Sequence, residues 1–159
     1  MKKIILSLIL LSSIVFLNSC SGYKPIFASG NIELEISSYS IEGEQALGKK
    51  IYNDLNNLLK SKNNKDLKKV DFFINVSKTK NPTVKDDTGK IKEYKITLNT
   101  LIKIIDQKNN NQIVNRNFEV SSTYKIQDNY SDTIRQENTT IENLVNNTYQ
   151  ELLISLSKI

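Results

Sequence analysis

Between residues 91 and 106 the chain changes polarity at almost every step. Tyr94, Ile96, Leu98, Thr100, Ile102 and Ile104 share one parity, and Lys95, Thr97, Asn99 and Lys103 the other; Leu101 and Ile105 are the exceptions. Period two in a β-branched, aromatic-rich stretch predicts a strand buried on one side only. Three further segments read the same way. Residues 32–41 begin with Ile32, Leu34 and Ile36 against Glu33 and Glu35. Residues 70–80 set Val70, Phe72, Ile74 and Val76 against Asp71, Asn75 and Ser77. Residues 112–126 point Val114, Phe118, Val120, Tyr124 and Ile126 inward, with Arg116 on the same parity, which places it near an edge or at a site.

Two segments carry helical spacing instead. From Glu44 to Lys62, apolar residues fall at Leu47, Ile51, Leu55, Leu58 and Leu59, an amphipathic stripe. Glu42 and Glu44 stand at its start and Lys60 and Lys62 in its last turn, the ends the macrodipole favours for each charge. Residues 132–158 repeat the pattern through Ile134, Ile141, Leu144, Val145, Thr148, Leu152 and Leu156. Thr139 and Glu142 match a capping box, which leaves open a start near residue 140. Asn81-Pro82, then Asp86, Asp87 and Gly89, read as a loop, and Lys108 to Asn111 as an Asn-rich hairpin turn. The order β-α-β-β-β-α predicts an α+β fold with two helices packed on one face of a four-stranded mixed sheet. The β-α-β start makes its two strands parallel. Phe73, Leu101 and Ile105 fall on the other face, where scattered exposure and a partner surface are the two readings.

Residues 1–19 stand outside that pattern. Lys2 and Lys3 precede a run from Ile4 to Leu17 broken only by Ser7, Ser12 and Ser13. A spanning helix needs about 20 apolar residues. The shorter run after a cationic start reads as a secretory signal peptide rather than an uncleaved anchor. It ends Leu17-Asn18-Ser19-Cys20. This resembles the bacterial lipobox, in which Leu, a small residue and Cys direct lipid attachment; Asn18 is the less usual element. Cys20 is then the lipidation site, its thiolate taking up a diacylglyceryl group. Each buried CH₂ of such chains adds about 0.8 kcal/mol of membrane affinity. Ser21 follows where Asp would suggest retention at the inner membrane, so the destination expected from the resemblance is the outer membrane, facing the periplasm.

Composition closes several routes. With no His and one Cys, the chain has no intramolecular disulfide, imidazole-bound zinc or Ser-His-Asp system. Asp86/Asp87 and Glu33/Glu35 are poor acid–base pairs, being adjacent on a loop or alternate on a solvated face. No enzyme activity, metal or cofactor is expected. Without Lys2 and Lys3, 20 basic and 17 acidic groups remain, a net charge of +3. Only Arg116 and Arg135 carry guanidinium groups, so readout of nucleic acid is poorly supplied and no nucleic-acid partner is expected.

After Cys20 the chain reads Gly22-Tyr23-Lys24-Pro25-Ile26-Phe27. With the strand leading into Gln45-Ala46-Leu47 and the final helix Glu142-Asn143-Leu144-Val145 to Leu156, it resembles the LPS-assembly lipoprotein LptE (RlpB) family of alphaproteobacterial type. Ser21 is one residue more than the family's usual opening. The resemblance covers the mature chain in order and length, and divides it into a signal peptide (1–19), a lipidated tether (20–31) and a single LptE-like domain (32–159). It implies a partner, the outer-membrane LPS-export β-barrel LptD, which such a lipoprotein plugs and helps to fold, and contact with lipopolysaccharide on its way to the outer leaflet. Lipid A phosphates call for cations. The candidates are Lys85, Lys90, Lys92 and Lys95 around the long loop and Arg116 on the neighbouring strand, against the plainer reading that these are solvated surface charges. The competing function is a periplasmic lipoprotein serving as accessory to an envelope enzyme or a lipid transporter.

Overall fold

A computed structural model describes residues 33–60 and 67–158. The expected signal peptide, Cys20, the tether and Lys62 lie outside the described residues. The elements run β1 (Leu34–Gly43), α1 (Gln45–Lys60), β2 (Lys68–Lys85), β3 (Ile91–Asp106), β4 (Gln112–Lys125) and α2 (Tyr130–Leu156). The sheet follows chain order, β1-β2-β3-β4. β1 and β2 are parallel and the other pairs antiparallel. This is the expected mixed sheet and the expected order.

One parity of each strand forms the core. Val70, Phe72, Ile74 and Val76 of β2, Ile96, Leu98, Ile102 and Ile104 of β3, and Val114, Phe118 and Tyr124 of β4 are buried. They meet Ile51, Leu55 and Leu59 of α1 and Leu144, Leu152 and Leu156 of α2. Burying such side chains contributes roughly 1.5–3 kcal/mol each. α1 packs on β1 and β2, α2 on β4 and β3, and the two helices touch. The Tyr149 hydroxyl donates to the Asp54 carbonyl at 3.4 Å across that contact.

β1 departs from simple alternation. Ile36 pairs with Val70 but Ser38 pairs with Asp71, so Ser37 is an extra residue and the inward parity switches. Beyond the bulge Tyr39 lies opposite Phe72 and Ile41 opposite Ile74. Tyr39 then stacks on Tyr52 of α1, ring centroids 4.1 Å apart. Gly43 takes the chain into α1 without a loop. Its φ is +72°, and a Cβ there would sit 2.1 Å from the Val76 carbonyl oxygen. That carbonyl accepts the Glu44 N–H at 2.8 Å.

Two boundaries differ from the sequence reading. The loop expected from Asn81 is strand, since β2 continues to Lys85 and only residues 86–90 turn. Pro82 is tolerated because β1 ends opposite Val76, leaving that side of β2 a free edge where a missing N–H breaks no ladder. The final helix begins at Tyr130, not near residue 140. Asn129 caps it, its side chain accepting the Ser131 N–H at 3.1 Å. Thr140 lies inside the helix and donates to the Gln136 carbonyl at 2.8 Å. The Asn-rich turn is as expected, with Asn110 at a φ of 54°.

Candidate functional site

The extension of β2 changes what the lysine cluster is. Lys85 ends β2, Lys90 sits in the turn, and Lys92 and Lys95 lie on the first part of β3, so these four gather at one end of a long hairpin. Asp86 organises the turn. Its Oδ1 accepts from the Thr88 hydroxyl at 2.6 Å, the Lys90 N–H at 3.0 Å and the Thr88 N–H at 3.1 Å. Its Oδ2 lies 3.3 Å from the Lys92 ammonium. These bonds, the Thr88 hydroxyl first, hold the carboxyl at about 2. Lys92 is therefore engaged, whereas no carboxylate among the described residues pairs with Lys85, Lys90 or Lys95.

Arg116 is not part of this group. It pairs with Ile102, whereas Lys95 pairs with Thr123. Seven residues of strand separate the two positions, about 24 Å. Arg116 lies on the edge strand, on the helix side, and its Nη1 donates to Ser155 Oγ at 3.1 Å. Its parity is thus explained by the edge.

The sheet face away from the helices is rich in hydroxyls and amides. Ser77, Asn99 and Glu119 form one cross-strand row, Thr79, Thr97 and Ser121 the next. Asp71 accepts from Ser38 and from Gln107, each at 2.6 Å, which lowers its pKa. Phe73, Leu101 and Ile105 are half-buried on this face rather than exposed. The Lys103 ammonium lies 5.5 Å from the Phe73 ring centre, an aliphatic stem and cation laid across an aromatic neighbour.

A second charged cluster escapes sequence reading. Lys80 of β2, Glu137 of α2, and Tyr94 and Tyr124 meet on the helix side near the same end of the sheet. Its one signal is that Lys78 and Lys80 continue the inward parity of Val70 to Val76, while Glu137, the partner of Lys80, lies 57 residues further along the chain. No helix among the described residues is long and apolar enough to cross a membrane, and no group of three or more metal-ligating side chains occurs among them.

No protein-family model and no curated protein sequence matches the chain. Solved structures do. Rare lipoprotein B from Shewanella oneidensis superposes with a TM-score of 0.55 at 12% identity, over 76% of this chain and 94% of that one. Lipoprotein B from Nitrosomonas europaea gives 0.56 at 12% identity, over 76% and 80%. The likeness is one of fold, and the chain has the α+β fold of the rare lipoprotein B structures, the family its opening motif and element order resemble.

Proposed function

We propose that the chain is an outer-membrane lipoprotein, anchored through Cys20 on the periplasmic side, that plugs and helps to fold an LptD-like export β-barrel and assists delivery of lipopolysaccharide to the outer leaflet. The observation that carries this reading is the fold of lipoprotein B on a chain whose lone cysteine ends a signal-like apolar run. The open sheet face supports it. The lumen of a large barrel is polar, and a surface rich in hydroxyls and amides can exchange hydrogen bonds with it. Lys85, Lys90 and Lys95 are the ammonium groups left for lipid A phosphates. Lys92 supports the turn through Asp86, and Arg116 stands apart from them. No catalytic step is assigned.

Depletion of the protein tests the role. Surface lipopolysaccharide should fall, and detergent extracts of the outer membrane should yield a large heat-modifiable barrel with the tagged chain. Normal surface lipopolysaccharide after depletion overturns the export role. An unacylated Cys20 in a protein free of the membrane overturns the anchor.

A further inference from the structure

The long edges of the sheet are built differently. On one side β1 has ten residues and a bulge between Ile36 and Ser38. Beyond Val76 the free run of β2 carries Lys78, Lys80, Pro82 and two register shifts. Short length, bulges, lysines and proline are what blunt an edge against pairing. On the other side β4 has 14 residues, contains neither Pro nor Gly, and keeps unbroken register with β3 from Lys125 to Val114. No strand among the described residues pairs with its outer side. Arg116, an inward-pointing charge, is a residue type that repels a neighbouring strand when it stands over the edge. Its bond to Ser155 draws it toward α2 instead.

α2 supplies a roof. It packs chiefly over β4. Ile154, 43% exposed, faces the edge and with Phe118 and Arg116 bounds a notch of about 290 Å³. Asn117, Glu151 and Ser155 complete the lining. One cation and one anion flank the notch, so the seat suits an uncharged side chain.

We propose that β4 and α2 form a receiving groove for an extended segment of a partner protein, which adds antiparallel to β4 as a fifth strand and sets an apolar side chain opposite Phe118 into the notch. Backbone groups of β4 supply the hydrogen bonds, and the notch fixes the register. The segment is one with no helix on that face. A second copy of this chain does not fit. Pairing β4 with β4 about a two-fold axis sets the strands about 4.8 Å apart. The two α2 helices above them need about 8–10 Å between axes. The inference does not rest on lipopolysaccharide export, which the depletion experiment reads separately.

The test places a photo-crosslinking residue at Asn115, Asn117, Ser121 or Thr123 of the full chain in its native envelope, with Thr79 and Asn81 on the free edge of β2 as controls. The expected result is a ladder, in which partner residue numbers fall as the position on β4 rises, all within one continuous segment. Ile154→Glu and Ser122→Lys, both at exposed positions, should each cut the yield about tenfold, as a loss of about 1.4 kcal/mol in binding would, with the melting curve unchanged. Absence of crosslinks at all four β4 positions, capture of a second copy of the chain, an equal ladder from β2, or yields unmoved by both variants overturns the proposal.

Discussion

Lys80 and Glu137 meet between β2 and α2, the ammonium 2.5 Å from Glu137 Oε2. The same oxygen accepts the Tyr124 hydroxyl at 2.7 Å, and the Lys80 ammonium lies 4.5 Å from the Tyr94 ring centre. Burial opposes charge on both partners, but the bonds between them prevail, so the lysine pKa is raised and the glutamate pKa lowered. Glu137→Gln should cost about 1 kcal/mol at neutral pH, a charged hydrogen bond discounted for a lysine still open to solvent. The folded state binds the Glu137 proton less readily than the unfolded chain. The contribution is therefore present above the ordinary value of 4.5 and lost as pH falls through the lower folded value. Urea unfolding from about pH 7 to about pH 3 should show wild type and variant converging at the acid end. A constant difference would mean that the carboxylate makes no such bond.

Asp86 gives a second acid-range signature. With its carboxyl held at about 2 against an ordinary 3.8, the turn keeps this contact above 3.8 and loses it as pH falls through about 2. Carboxyl-carbon NMR should follow that titration. Asp86→Ala should speed hydrogen exchange at the amides of Thr88 and Lys90, and titration at the ordinary value would exclude the Thr88 bond.

What the sequence revealed depended on whether a pattern was set locally. The period-two run of β3 matches its strand from Ile91 to Asp106, because both neighbours hold it in unbroken register from Tyr94 to Ile104 and the shifts fall only at its two ends. The inward parity of β1 past Ile36 was hidden, since a bulge at Ser37 is decided by fitting Tyr39 and Ile41 to α1. Pro82 misled for a related reason. Proline forbids a central strand but not an edge, and only the point where β1 ends makes that stretch of β2 an edge. The candidate cations split accordingly. Four lysines close in sequence stayed together around the hairpin, and Arg116 joined α2 through a contact between residues 39 positions apart.

The start of α2 turns on Asn129. A capping box at Thr139 and Glu142 competed with it in the sequence and lost, because the earlier start lets Glu137 reach Lys80 and Tyr124. Asn129→Ala should cost about 1 kcal/mol. Amides from Thr133 to Asn138 should lose hydrogen-exchange protection while those beyond Glu142 keep theirs. Uniform loss along the helix would show that the two halves melt as one unit.

Thr100 is the most informative core position. It is fully buried on β3 between Val76 and Phe118, and its hydroxyl has no hydrogen-bond partner. An unsatisfied buried hydroxyl costs roughly 1–3 kcal/mol. Valine has nearly the same shape and the same β-branching, so Thr100→Val should raise stability by about 1 kcal/mol. Thr100→Ser keeps the hydroxyl and deletes a buried methyl, and should lower stability by about 1 kcal/mol. The opposite signs separate polarity from packing at one site. If the valine variant is less stable in urea than wild type, the hydroxyl must be bonded in the folded state, and the core at this point is more polar than its neighbours imply.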